Sequence, residues 1–263
     1  MDFDKVTLDI DGAVAVLTLN DPEKLNAIDT AMLTGLREAI DRIAAESFPG
    51  RCLVFTGAGR GFSSGANLSE GLDGGQHDVP LGRRLETHYH PVLRRMRDLN
   101  IPIVTAVNGP AVGIGMSFAM MGDFIMVARS AYFMLSFCRI GLVPDGGATW
   151  LLPRIVGMQR AKEMAILGDK LPAEKAVEWG LANRMCEDDT LVSEAMTTAK
   201  KLAEGPKIAY GLMRKLFAAS SDNTHEEQLS YEQQCQATAG RSLDFKEGIA
   251  AFLEKRPPKF EGR

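Results

Sequence analysis

Two apolar runs, CLVFTG (52–57) and IPIVTAVNG (101–109), each empty into a glycine-bearing segment. These segments are GAGRGFSSGANL (57–68) and Asn108 to Ser117. Uninterrupted apolar runs of this length read as strands buried on both faces. Glycine directly after such a strand lets the backbone turn sharply and present its N–H groups. Where the next residues open a helix, the first amides lack intrahelical partners and lie at the positive end of the helix dipole. Two such loops on neighbouring strands can place two N–H donors around one oxygen, which is the design of an oxyanion hole. Neither segment has the Walker A or GxGxxG spacing that cradles phosphates.

The rest of the chain fits an α/β core followed by helices. Val6, Leu8 and Ile10 alternate before an Asp11-Gly12 turn, and Val14 to Leu19 returns as the second arm of a hairpin. Asp29 or Thr30 caps a helix whose apolar positions are Leu33, Leu36, Ile40 and Ile43. Residues 70–80, with His77, read as a mobile loop, and 81–98 as a polar helix interrupted at Pro91. Residues 111–122 form a tightly packed apolar helix, and 123–129 and 131–134 form short strands. From residue 158 onward the pattern is helical, over 158–167, 173–179, 190–204, 206–219, 224–239 and 243–254. The expected organisation is a core over 1–200 and a helical C-terminal region over 201–263.

Composition narrows the partners. Thirty Lys and Arg against 34 Asp and Glu leave a net charge of −4, which argues against a nucleic-acid-coating protein. Cys52, Cys138, Cys186 and Cys235 are far apart, without CxxC or Cys/His zinc spacing. Four such thiols fit a reducing compartment, and no metal is expected. The N-terminus lacks the basic and apolar regions of a signal peptide, and the stretch 111–122 is too short to span a bilayer. The expectation is a cytoplasmic protein with no membrane partner.

The motifs, taken together and in order, carry a family resemblance. LNDPEKLNAI (19–28), GRGFSSGANL (59–68), AVNGPAVGIG (106–115), MMGDFIMVARSAYF (120–133), GLVPDGGATWLLPRIVG (141–157) and DFKEGIAAFLEKRPPKF (244–260) cover almost the whole chain. The sequence resembles the crotonase, or enoyl-CoA hydratase/isomerase, superfamily. The resemblance implies a crotonase-like spiral of ββα turns, a homotrimer or dimer of trimers, and an acyl-CoA thioester as ligand. Coenzyme A enters as part of the substrate, with no separate cofactor. The resemblance assigns the oxyanion donors to the backbone N–H groups of Ser64 and Ile114. It implies a CoA cradle in which Lys24 approaches the phosphates and Arg60 sits at the rim of the first loop. Ala66 and Leu68 would meet the adenine end, and Phe252 and Lys255 would reach the CoA of an adjacent subunit.

Family hydratases use two glutamates. Here Ser117 stands at the first of these positions and Phe137 at the second, so both acids are missing. Ser117 can hold a water but is a poor base unless activated, and Phe137 exchanges no proton. Asp145, in VPDGG (143–147), is the carboxylate left in the neighbourhood. An aspartate there resembles the ring-epoxyphenylacetyl-CoA and Δ3,Δ2-enoyl-CoA isomerases. One carboxylate suffices for a 1,3-proton shift, because base and acid are the same group at successive moments. Phe133, Leu135, Phe137, Leu142 and Trp150 are expected to wall it in and raise its pKa. The structural reading of Asp145 is an N-cap for the following helix. The functional alternatives are a hydratase or lyase using a water held by Ser117 and Asp145, a dehalogenase-type hydrolase with Asp145 as nucleophile, and a non-catalytic acyl-CoA-binding protein. His88 and His90, with Glu86 and Tyr89, lie on a helix that lids the pocket in relatives, although a wet helix face is the simpler reading. Asp123 reads as structural.

Overall fold

A computed structural model describes residues 1–71 and 80–263. Residues 72–79, which hold His77 and most of the expected loop, lie outside the described residues. The chain opens with β1 (Asp2–Phe3), β2 (Val6–Asp11) and β3 (Val14–Leu19), an antiparallel meander. The β2–β3 register runs from Val6↔Leu19 to Asp11↔Val14. Gly12, at φ 61°, makes the tight turn between the two strands.

α1 (Thr30–Ala44) follows, capped by Asp29, whose Oδ1 accepts from the Met32 amide at 2.9 Å. Its apolar stripe of Met32, Leu33, Leu36, Ile40 and Ile43 is buried, each such side chain stabilising the fold by roughly 1.5–3 kcal/mol. β4 (Cys52–Gly57) then lies parallel to β3, with Leu19 opposite Gly57. The next helical segment comprises α2 (Leu81–Arg84), a π turn over Leu85–Tyr89, and α3 (His90–Arg97). The chain stays helical through Pro91, contrary to the interruption expected there. The His90 amide donates to the Leu85 carbonyl, the i→i−5 bond of a π turn. That widened turn accommodates a proline that would disrupt a regular helix.

From here the chain alternates between two sheets. β5 (Ile103–Val107) joins the first sheet and β6 (Ala111–Val112) the second, followed by α4 (Ile114–Ala119). β7 (Phe124–Ala128) returns to the first sheet and β8 (Tyr132–Met134) to the second, followed by α5 (Ala148–Val156) and α6 (Met158–Leu167). β9 (Leu171–Pro172) extends the second sheet, and α7 (Ala173–Glu178) leads to β10 (Arg184–Cys186) in the first. This is a spiral of ββα turns. The first sheet has the order β1-β2-β3-β4-β5-β7-β10 and is parallel from β3 onward. Both glycine-bearing loops leave the carboxyl ends of adjacent parallel strands, β4 and β5, where open α/β sheets bind their ligands.

α8 (Leu191–Ala203) packs small side chains, Ala195, Ala199 and Ala203, toward the core. It runs through residue 200, the expected boundary of the C-terminal region. α9 (Lys207–Ala219), α10 (His225–Ala239) and α11 (Leu243–Glu254) complete the chain. Asp123 is structural, as expected. Its carboxylate accepts from the Ile103 amide at 2.7 Å and from Arg214 Nε, which fastens α9 to the end of β5. Phe217, Phe252 and Leu253, on α9 and α11, are more than 70% exposed (76%, 81% and 73%), so this chain alone leaves large apolar side chains uncovered there.

Candidate active site

The first loop is stitched down by two asparagines. Asn26 is fully buried, and its Nδ2 donates to the carbonyls of Ala58 (2.9 Å) and Gly61 (2.8 Å). Its Oδ1 accepts from the Asp21 amide at 2.9 Å. Its backbone lies at φ 54°, a left-handed conformation that asparagine tolerates. Asn108, at the end of β5, donates to the Gly59 and Gly61 carbonyls at 3.0 and 3.3 Å. Ser63, also fully buried, donates to the Asn26 carbonyl at 2.8 Å. Asn26→Ala is expected to destabilise the protein by about 2–4 kcal/mol in urea unfolding, because it removes three hydrogen bonds that tie the loop down and leaves the half-buried Asp21 amide and Ala58 carbonyl without them. A loss below about 1 kcal/mol would show that the loop is held otherwise.

The second loop lies against the first. The Ser63 amide donates to the Pro110 carbonyl, and the Val112 amide to the Ser63 carbonyl, both at 2.9 Å. A Cβ on Gly65 would stand 2.9 Å from the Val112 oxygen and 3.8 Å from Gly113 Cα. Gly113, at φ 54° and ψ −127°, turns the chain into α4, so Ile114 is the first helical residue.

The amides divide clearly. The Ser64 amide donates to the Leu25 carbonyl at 2.9 Å. This corrects its assignment as an oxyanion donor, since that hydrogen is already taken. Gly65 then reverses the backbone at φ 98°. Beyond it, the Gly65 carbonyl accepts from Ile28 (2.7 Å) and the Asn67 amide donates to Ile28 (2.9 Å). In such a bridge the intervening residue turns its own amide away. The Ala66 amide therefore makes no hydrogen bond among the described residues, and neither does that of Ile114. Two unpartnered donors thus lie on two touching loops, one of them at a helix N-terminus. Sequence reasoning placed Ala66 at the adenine end of CoA. The only signal for its amide was its place immediately after Gly65.

Asp145 lies on the loop before α5, which packs against the start of α4. A Cβ on Gly146 would fall 2.3 Å from Ile114 Cδ1 and 2.8 Å from Ser117 Cβ, so the loop rests on the first turn of α4. Gly146 and Gly147, at φ 60° and 82°, supply backbone conformations that other residues rarely adopt. The N-cap reading of Asp145 is overturned: the cap of α5 is Gly147, and no side chain caps it. Instead, Asp145 Oδ1 is buried without a hydrogen-bond partner. Burial pushes the carboxyl pKa up to about 6. Phe133, Leu135 and Phe137 are buried as expected, and Phe137 Cζ would lie 3.8 Å from a Cβ on Gly113. Leu142 and Trp150 are at least one-third exposed and do not close over the acid within this chain.

The remaining expected residues are spread more widely. Ser117 is fully buried, and its hydroxyl donates to the main-chain carbonyl of Asp145 at 3.0 Å, so that hydrogen is not free to hold a water. Lys24, Arg60 and Leu68 are exposed around the first loop, and neither Lys24 nor Arg60 makes an ion pair among the described residues. Phe252 and Lys255 are exposed on α11 and at its C-cap, which places them in the C-terminal region. Glu86 and His88 are exposed and Tyr89 is buried, so that helix turns a largely wet face outward.

A ββα spiral carrying two free amides on adjacent loop tips defines the crotonase class of fold and site. The sequence profile described as enoyl-CoA hydratase/isomerase matches residues 9–263. The chain is 41% identical over 255 residues to the 1,2-epoxyphenylacetyl-CoA isomerase of Escherichia coli K12, covering 97% of each. It is 40% identical to a probable enoyl-CoA hydratase of Rhodobacter capsulatus, over the full length of both. A solved putative enoyl-CoA hydratase from Streptomyces coelicolor superposes with a TM-score of 0.92 at 33% identity, covering 100% of this chain and 96% of that one. The chain belongs to the enoyl-CoA hydratase/isomerase family and is an enzyme of it.

Proposed function

We propose that this enzyme is an acyl-CoA isomerase that moves a double bond, or isomerises a ring epoxide, by carrying a proton on Asp145. The observation that carries this reading is the Asp145 carboxyl, its Oδ1 buried and unpartnered, on a loop packed against the turn that holds the free Ile114 amide, with Ser117 and Phe137 where a hydratase would place its acids. Asp145 removes a proton from the α-carbon of a β,γ-unsaturated thioester. The dienolate oxygen accepts hydrogen bonds from the Ala66 and Ile114 amides, which hold the developing charge without reorganising. The same carboxylic acid returns its proton to the γ-carbon, giving the α,β-enoyl-CoA. A pKa near 6 suits both halves: the group is mostly ionised at pH 7, yet it gives its proton back readily. Apolar walls exclude the water that would add across the new double bond.

Lys24 and Arg60 would hold the CoA phosphates, and Leu68 the adenine end. Phe252 and Lys255 would come from a neighbouring subunit of a homotrimer or dimer of trimers built on the exposed apolar faces of the C-terminal helices. Coenzyme A is needed only as part of the substrate. Four unpaired thiols, three of them buried, support a cytoplasmic setting.

Incubation with 2- and 3-enoyl-CoA thioesters in heavy water, followed by mass spectrometry, tests the reading. The expected result is conversion of 3-enoyl to 2-enoyl thioester with no mass of added water and, in a single turnover, little solvent deuterium at the γ-carbon, because Asp145 carries the substrate's own proton. Hydration as the main product overturns it. So does ¹⁸O from labelled water entering the Asp145 carboxylate or, over further turnovers, the product, as hydrolysis of an Asp145 ester would require.

A further inference from the structure

We propose that Ser117 is a positioning residue that ties the loop bearing the proton carrier to the helix bearing one oxyanion amide. The inference rests on the isomerase reading above and deepens it. Asp145 has to be aimed at the substrate, yet its Oδ1 is buried and receives no hydrogen bond. No charged neighbour contributes to its raised pKa, which burial alone produces. The aim of the carboxylate must therefore come from its main chain. On one side stand Gly146 and Gly147 in left-handed conformations, and on the other is Val143, 79% exposed. Among the described residues, the hydroxyl of Ser117 is the only side chain hydrogen-bonded to residues 141–147.

That hydroxyl has 0% exposure, so its hydrogen needs a partner inside the protein. The partner it takes is the Asp145 carbonyl, at 3.0 Å. Ser117 lies one helical turn beyond Ile114, so its height relative to the free amide is set by α4 itself. The Gly146 backbone presses on the same turn, at Ile114 Cδ1 and Ser117 Cβ. One turn of helix therefore fixes both the donor to the thioester oxygen and the carbonyl anchor of the base. The distance between oxyanion and proton carrier is built into four consecutive residues, 114–117.

The test compares Ser117→Ala and Ser117→Cys with the wild type, using a 3-enoyl-CoA substrate across pH 4.5–8. Alanine matches serine in size and favours the helix. The expected result for Ser117→Ala is a kcat about 10- to 100-fold lower, the penalty of a slightly misplaced reacting group. KM should stay within about twofold, because the CoA contacts lie elsewhere. The acid limb of the kcat profile should move down toward the ordinary carboxylate range, as a released loop lets water reach the carboxyl. Ser117→Cys, which keeps a weak donor, should fall between the two. Unchanged kcat and acid limb in Ser117→Ala would overturn the inference. So would a loss shared by kcat and KM with the acid limb unmoved, the pattern of a general structural defect. A wild-type protein without isomerase activity would overturn the reading of the reaction and this inference with it. A wild-type isomerase indifferent to Ser117→Ala would overturn this inference alone.

Discussion

Asp145→Asn is expected to lower the isomerisation kcat by roughly 10³-fold or more, with acyl-CoA binding retained. In the proposed reaction both proton transfers run through this carboxyl, and positioned acid–base groups typically contribute 10²–10⁴-fold. Asparagine preserves the shape but neither takes nor returns a proton. Steady-state rates and CoA-thioester affinity by calorimetry check the result, and a near-normal rate would remove Asp145 from the mechanism. The same substitution carries a stability signature of opposite direction. Burial raises the Asp145 pKa from 3.8 to about 6, so the folded state disfavours the ionised form. The cost is absent below about pH 4, grows as pH rises through 6, and is complete above that. Asparagine carries no charge. The variant should therefore be more stable than the wild type by about 1–2 kcal/mol at pH 7.5, allowing for the part of the carboxyl that meets water, and nearly equal to it at pH 4. Urea unfolding at the two pH values measures the difference. A gain at neutral pH together with a lost rate is the pattern of a group held for chemistry at the expense of the fold.

Why the sequence announced this acid but misplaced one amide is a matter of what local pattern encodes. The hairpin at Asp11-Gly12, the stripe of α1 and the C-terminal helices follow periodicity and caps, which are local and additive. Asp145 stood out because a carboxylate is rare in an apolar setting and its type is visible in the letters. An amide is present at every residue except proline, so its availability depends on where the backbone points. Here Gly65 at φ 98° decided that Ser64 is consumed by Leu25 while Ala66 is left free. The supporting roles of Asn26 and Asn108 were hidden for a related reason. Their value lies in carbonyls more than 30 residues away, which adjoin them only once the loops are folded. Pro91 misled because the cost of a proline depends on the turn before it, and a π turn removes that cost. The walls of the site were half legible: Phe133 and Phe137 belong to buried segments, whereas Leu142 and Trp150 await whatever covers them.

The oxyanion assignment admits a direct test at Ile114, because the first position of a helix is where proline is best tolerated. The Ile114 amide has no partner among the described residues, so deleting its hydrogen costs them no hydrogen bond. Gly113 is extended in the mirror-image sense at φ 54° and ψ −127°, not helical, and so does not resist a following proline. Ile114→Pro is therefore expected to fold and to bind CoA thioesters. Its kcat should fall about 10²–10³-fold, the usual consequence of losing one oxyanion donor. Proline also lacks the Cδ1 that touches Gly146, and Ile114→Val removes that same atom while keeping the amide. The valine variant should lose about 1 kcal/mol of stability and less than about tenfold in kcat. The contrast between the two isolates the hydrogen. If proline and valine lower kcat equally, the packing at Gly146 and not the amide governs the rate, and the enolate oxygen must be held elsewhere.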